Sequence, residues 1–358
     1  MKIAYLNTPF RESNANGAAT HIREFINETT ALGHVIYSGK DNHHPKVIQT
    51  PTGLIPRIKT ILDCDVVYIR YADKLNKSML FSQYPLRFLS KKLFLVWEFN
   101  SFPDTFETDP DKIAKQSQTL RNELKIANLA ICLSNTMAEK LSAEYDFNKI
   151  LVAPDASNPD HFKPGLPCPK RMRYFEGKTN IVWSGSLSMP WADVSLMLDA
   201  AQQLWESHKD KICFHLIGKF DSSLAEKITP NVHIYGIQPY HKLPNWLSAM
   251  DIGLNFYKPG KNDFGSPIKF FDYLSSGLAV ICSNHPQMRE ILDEINLGSF
   301  VLDDSDPILL TQKILTLHED PDLLNRFKTL SRNLIIEKYN WKNTVGSIMA
   351  RIDHGLSG

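Results

Sequence analysis

The stretch "DFGSPIKFFDYLSSGLAVICS", residues 263–283, holds the residues best spaced to do chemistry. Ser266 suits a helix N-cap, Pro267 the first helical position and Gly277 the C-terminal cap, so a short helix should lead into a buried strand. Lys269 then falls in the first turn, where the helix already presents partial positive charge, and a lysine there is electrostatically misplaced. A phosphate at that helix N-terminus would remove the conflict, accepting bonds from the backbone amides and from Lys269 together. Asp272, three residues on, shares a helix face with Lys269 and could accept two hydroxyl hydrogens of a ribose. A phosphate beside a sugar diol describes a nucleotide. The plainer alternative is a surface ion pair between Lys269 and Asp272, which contributes little.

Three other stretches carry candidates. "LVWEFNSFP" (95–103) ends an apolar run in Glu98, Asn100 and Pro103, polar positions that either face a cleft or cap the next turn. In "NIVWSGSLSMPW" (180–191), Gly185 lies just past an apolar run, where a glycine permits close approach of a ligand; Ser186 and Ser188 follow, and Trp191 is a platform or core. "TPFRESNANGAATHIREF" (8–25) ends in Asn16-Gly17 at the mouth of a helix, either an anion or hydroxyl site or an ordinary capped turn. It lacks G-x-G-x-x-G, which disfavours a nicotinamide dehydrogenase. No Cys/His cluster has zinc spacing, and His43-His44 reads as a solvated loop, so neither a metal nor a cofactor is expected.

The elements that must position these residues follow from periodicity. Short β-branched runs recur at 2–7, 65–70, 92–99, 129–134 and 150–154, then at 180–186, 212–218, 232–236, 252–257, 278–283 and 299–302. Helical patterns lie between them, as at 20–32, 194–208 and 323–338. Near-continuous apolar strands alternating with amphipathic helices predict parallel sheets covered on both faces. The Pro-rich, charged stretch 154–180 reads as a linker, which gives an α/β chain of two Rossmann-like domains with a cleft between them. In such sheets ligands bind beyond the carboxyl ends of the strands.

The totals narrow the classes. At 358 residues, 43% hydrophobic, 22% charged and net charge +1, the chain offers no global field for nucleic acid or membrane. Five scattered cysteines argue for reduced thiols in a cytoplasmic protein. "MKIAYLNTPF" does not read as a signal peptide, and no run of 18 apolar residues marks a membrane span.

Motifs along almost the whole chain resemble the retaining GT-B glycosyltransferases of family 4 (glycosyl transferases group 1). "GAATHIREFINETTALGHVIY" (17–37) is similar to that family's first helix and G-H-x-V strand, and "ILVAPDASNPDHFKP" (150–164) to its linker, with Asp155, Ala156 and Ser157 replacing Asn-Gly-Val. "NVHIYGIQPYHKLPNWLSAMDIGLNFY" (231–257), "SPIKFFDYLSSGLAVICS" (266–283) and the closing helix "YNWKNTVGSIMARI" (339–352) resemble later family motifs in the right order. The resemblance implies the GT-B fold, two Rossmann-like domains facing each other across a cleft. Residues 1–164 would form the acceptor-side domain, completed by helix 341–358, and 165–340 the nucleotide-sugar-binding domain.

It also implies roles. Lys269 would bind the donor diphosphate and Asp272 the ribose; the backbone at Ile237 would meet the base; Gly265 and Ser266, with Pro267 beside them, would present amides to the donor sugar; Gly17 and Gly185 would approach the diphosphate. Many relatives carry an arginine where this chain has Ser186 and a lysine where it has Trp191, which points to a subgroup with a tryptophan in the donor-phosphate loop. Phe264 stands where a carboxylate is usual, with Asp263 beside it. The catalytic residues implied are Lys269, Asn100 and Glu98, with Asn100 replacing a histidine near the donor sugar and Glu98 two residues before it. The implied reaction transfers a sugar, UDP-glucose being the favoured donor, to a hydroxyl of a glycan or lipid-linked acceptor in polysaccharide or glycoconjugate synthesis. It needs no metal. The alternatives are a sugar-nucleotide 2-epimerase and a non-catalytic nucleotide-sugar-binding protein. "PLRFLSKKLF" (85–94) reads either as a solvated helix face or as a peripheral contact with the inner face of a membrane.

Overall fold

The computed structural model describes residues 1–13, 16–71, 93–105, 107–187, 189–220, 222–258, 260 and 263–357. The chain divides into two compact units. One holds Met1–Asp155, Phe264–Ser266 and Trp341–Gly358; the other holds Ala156–Asp263 and Pro267–Asn340. The division falls at Asp155/Ala156 rather than at 164/165, and three residues ahead of the Lys269 helix join the first unit.

The first unit is built on strands β1 (Lys2–Leu6), β2 (Val35–Ser38), β3 (Val47–Gln49), β4 (Val66–Tyr71), β5 (Phe94–Phe99), β6 (Leu129–Cys132) and β7 (Ile150–Val152). They pair in parallel in the order β3-β2-β1-β4-β5-β6-β7. β4 and β5 are buried along their whole length, as their unbroken apolar runs predict. β3 is a three-residue edge strand with two exposed residues, too short and too wet to leave an apolar signature. Helices Gly17–Ala31, Leu54–Leu62, Pro110–Leu124, Asn135–Tyr145 and Trp341–Ser357 accompany this sheet. His44 is buried while His43 is exposed, so the predicted solvated loop holds for only one of the pair.

The second unit contains β8 (Thr179–Ser184), β9 (Ile212–Ile217), β10 (Val232–Ile234), β11 (Ile252–Asn255), β12 (Ala279–Ser283) and β13 (Val301–Leu302), parallel in the order β10-β9-β8-β11-β12-β13. Helices Val194–His208, Ile268–Ser275, Pro286–Glu294, Pro307–Glu319 and Pro321–Glu337 belong to it. Part of the expected linker is packed structure. Ser157 donates its backbone N–H to the carbonyl of Tyr339, and Phe162 lies in the core with its carbonyl bonded by Ser275 Oγ. In each unit the strand order reverses once, at β1/β4 and at β8/β11. The crevice beyond the carboxyl ends of those two strands is where doubly wound sheets bind ligands.

Candidate functional site

Helix Ile268–Ser275 opens one residue later than the sequence predicts. Pro267 is its N-cap and Lys269 its second residue. Ser266 does not cap it; the Ser266 hydroxyl oxygen accepts the backbone N–H of Asp155 at 3.0 Å, inside the first unit. Gly277, with φ of +72°, ends the turn after the helix as expected. The helix is locked by its own side chains. Tyr273 presents its hydroxyl to the backbone N–H of Ser184 at 2.6 Å, and its ring lies where a Cβ on Gly253 would have to sit. Asp272 is buried and accepts the hydroxyl of Ser157 at 2.7 Å.

This framing fixes Lys269. Its Nζ lies 4.2 Å from the centre of the Trp183 ring and 5.8 Å from that of Tyr257. Trp183 is in β8 and Tyr257 follows β11, so the ammonium stands at the reversal point of the second sheet. The surface pair with Asp272 does not form: Asp272 is committed to Ser157, and among the described residues no carboxylate lies within ion-pair distance of Lys269. The residue keeps some surface exposed, yet protein crowds the ammonium enough that desolvation pushes its pKa down to about 7.

Gly185 follows β8 directly with φ of +111°, a conformation that a side chain would strain. Its carbonyl fills the place of a Cβ on Gly218, which pins the loop, while nothing stands within 4 Å of where a Gly185 Cβ would be. Ser186 is half-buried beside it, and Trp191 packs on the second unit's core, the plainer of its two readings. Ser188 and nearly all of 85–94 lie outside the described residues. Ile237 is exposed beyond the edge strand β10. Gly17 opens its helix at the surface, capped by Asn16, whose side chain accepts the N–H of Ala19 at 2.9 Å.

Two expectations change. Phe264 is a packing residue: its ring meets Phe102 edge-on at 5.5 Å and its carbonyl accepts the hydroxyl of Ser134 at 2.8 Å. Gly265 beside it is buried. Glu98 does not face open space. It is 0% exposed and closed in by its own unit: Tyr68 donates its hydroxyl at 2.7 Å, Arg70 donates Nε–H at 3.0 Å, and His21 Nε2 lies 2.9 Å away in an ion pair. His21 turns its other nitrogen to Asp155 at 2.6 Å. Burial alone would raise the Glu98 pKa, but His21, Arg70 and Tyr68 hold it down at about 2. Burial likewise opposes charge on His21, and Glu98 and Asp155 outweigh it, leaving its pKa raised. Asn100, half-buried just past β5, accepts the hydroxyl of Ser101 at 3.3 Å.

Residues 178–320 match the family described as Glycosyl transferases group 1. No curated protein matches the chain significantly. Among solved structures, sucrose-phosphate synthase from Thermosynechococcus elongatus is 13% identical, with 99% of each chain covered and a TM-score of 0.71. An alpha,alpha-trehalose-phosphate synthase (UDP-forming) from Burkholderia xenovorans, in complex with glucose-6-phosphate, is 11% identical over 98% of this chain and 99% of its own, with a TM-score of 0.69. The fold is GT-B. A structure from Listeria monocytogenes described as a UDP-N-acetylglucosamine 2-epimerase has it too, at 12% identity, 99% and 96% coverage and a TM-score of 0.62.

The GT-B fold alone therefore does not choose between transfer and epimerisation, and the side chains must. In the second unit Lys269 lies against Trp183 of β8, Gly185 follows that strand directly, and Asp272 turns to Ser157. The network of Tyr68, Arg70, His21 and Asp155 was not foreseen. Its signals were polar residues inside the buried run "DVVYIR" and a histidine on the buried face of helix Gly17–Ala31. Among the described residues no helix is long and apolar enough to cross a membrane.

Proposed function

We propose that the chain is a retaining glycosyltransferase. It moves a sugar from a nucleotide-sugar donor, with UDP-glucose the favoured candidate, to a hydroxyl of a glycan or lipid-linked acceptor. The observation that carries this reading is Lys269: an ammonium at the reversal of the second sheet, beside an open glycine loop, with no carboxylate within ion-pair distance among the described residues. A donor diphosphate supplies the missing counter-charge and accepts the amides at the N-terminus of helix Ile268–Ser275. The match of residues 178–320 to the group 1 transferases supports the same assignment.

The chemistry follows from charge. The bond from the anomeric carbon to the diphosphate breaks, and negative charge develops on the leaving oxygen. Lys269, the helix amides and the backbone at Gly185 stabilise that charge before water can, which lowers the barrier. The leaving phosphate takes the proton of an acceptor hydroxyl on the same face, so no protein nucleophile is required. Asp272, oriented by Ser157, would hold the ribose, and the exposed backbone at Ile237 would meet the base.

The Listeria structure keeps the epimerase alternative in view. An epimerase needs carboxylates and histidines free to exchange protons with substrate, and Glu98 and His21 are spent on each other. The deciding assay incubates the protein with UDP-glucose and candidate acceptors, then follows UDP release and the anomeric configuration of the product by NMR. Release of UDP with an α-linked product supports the proposal. Interconversion of UDP-N-acetylglucosamine without acceptor would replace it with the epimerase, and UDP binding without turnover with a non-catalytic binder.

A further inference from the structure

A cavity of about 310 Å³ opens beyond the carboxyl ends of β11, β12 and β13, within the second unit. Lys269, Gly185, Asp272 and Ile237 do not line it. The residue it shares with the Lys269 site is Tyr257, whose ring centre is 5.8 Å from the ammonium. The walls are tied together before any ligand arrives. Tyr257 donates its backbone N–H to Ser283 Oγ at 2.9 Å, which fixes the loop after β11 to the end of β12. Asn284 donates its backbone N–H to the carbonyl of Leu302 at 2.8 Å, which fixes the loop after β12 to β13. Arg289 donates Nε–H to Asn284 Oδ1 at 2.7 Å and pairs with Asp303. A preformed site loses little conformational freedom on binding.

The lining selects a class of ligand. Tyr257, His285 and Leu302 are buried, and the two rings are 5.6 Å apart between centres, so the floor is aromatic and aliphatic. Asn284, Asp303, Asp304 and Ser305 are exposed at the rim. Charge is nearly balanced: Asp303 is engaged by Arg289, and Lys258 joins Asp263 and Asp304 in the lining. An anion would meet carboxylates, and a cation would find no concentrated field. Among the described residues no group of histidines, cysteines and carboxylates could hold a metal ion. What fits is uncharged and rich in hydroxyls. Carboxylates accept hydroxyl hydrogens, and Asn284, its Oδ1 already taken, has its amide N–H groups to give. The C–H face of a sugar ring can lie on an aromatic face. The volume is at the small end of ligand pockets, about 300–1,000 Å³, and suits one sugar ring rather than a nucleotide.

We propose that this cavity is a second sugar site, which holds an uncharged hexose ring apart from the donor, with Asn284 and Asp304 as its hydroxyl-binding groups. The inference stands on the cavity and does not depend on the diphosphate reading given above.

The test is saturation-transfer NMR on the full chain, with methyl α-glucoside, methyl α-galactoside, methyl α-mannoside and N-acetylglucosamine as probes. At least one of these sugars should receive saturation, and added UDP should leave that signal in place. Asp304→Ala and Asn284→Ala change exposed positions, so thermal melts should match the unmodified chain. Each removes a hydroxyl partner and should weaken the bound sugar by about tenfold, with UDP affinity unchanged. No saturation of any of these probes overturns the proposal. A sugar that UDP displaces, or that both variants bind as well as the unmodified chain does, sits elsewhere; either result overturns the second site and leaves the transferase reading standing. Spermidine or inorganic phosphate bound in place of a sugar, and lost in Asp304→Ala, would overturn it in favour of a charged ligand. Failure of UDP to bind, with a sugar signal that both variants weaken, strikes the diphosphate reading and supports this inference.

Discussion

In the first unit Glu98, His21, Arg70, Tyr68 and Asp155 are buried together, each within bonding or ion-pair distance of another; in the second, Lys269 lies against two aromatic rings, with no acid within ion-pair distance among the described residues. Both are ionisable sites crowded by protein, Glu98 buried and Lys269 partly exposed, and both have shifted pKa values. The difference is whether the protein supplies the partner. A charge neutralised within its own unit is a structural device, because breaking it leaves a buried charge uncompensated. A charge left open at a strand reversal is where we propose that the ligand sits. Perturbed titration by itself would have ranked Glu98 with Lys269; partner counting separates them.

Glu98→Gln should have the largest effect. It leaves His21 and Arg70 buried without their shared counter-charge, and about 3–5 kcal/mol of stability should disappear in urea unfolding. A loss below about 1 kcal/mol accompanied by loss of transfer would mean that Glu98 acts on substrate, and the contrast between the two units would collapse.

Lys269→Met should behave oppositely. Methionine keeps the packing on Trp183 and removes an amine that desolvation disfavours, so unfolding stability should hold or rise, while UDP affinity and transfer should drop by about 100-fold, roughly 2.7 kcal/mol. Paired thermal melts and UDP titrations read both quantities from one preparation. Loss of stability equal to that of Glu98→Gln would place Lys269 among the structural charges.

The two sites should also part company with pH. The folded pKa of Glu98 is depressed to about 2, so its contribution is present above the unfolded value and is lost as pH falls from about 4 toward 2. That of His21 is raised, so its contribution is complete below about 6.5 and fades as pH climbs through the folded value. Lys269 is a base with a depressed pKa: it is neutral-tolerant at high pH and costs stability as pH falls from about 10 through 7. The gain from Lys269→Met should therefore shrink on raising the pH toward 10, as equilibrium unfolding of both proteins across that range would read.

What was legible in the sequence follows the same division. The strands and Lys269 are written locally: unbroken apolar runs specify buried parallel strands, and a lysine after Ser-Pro contradicts the helix dipole within a few residues. The first unit's network is written across the chain, at positions 21, 68, 70, 98 and 155, and no stretch containing one member hints at the others. Arg70 and Glu98 become neighbours only through the register of β4 on β5. Phe264 failed for a related reason. A motif position implied a carboxylate role, while the ring's actual partner, Phe102, lies far off in sequence.

The smallest expected effect tests how the open site is held. Ser157 donates to Asp272 Oδ1, and Asp272 is one turn from Lys269 on a helix that Tyr273 also anchors. Ser157→Ala removes one charge-assisted bond and leaves Asp272 buried, so stability should fall by about 1–3 kcal/mol in urea unfolding. The consequence for ligand binding should be selective. UDP, which carries the ribose, should weaken several-fold, whereas inorganic pyrophosphate, which on the proposed reading meets only Lys269 and the helix amides, should be unaffected. Equal weakening of both would mean that Ser157 merely supports the helix and that Asp272 reads no sugar.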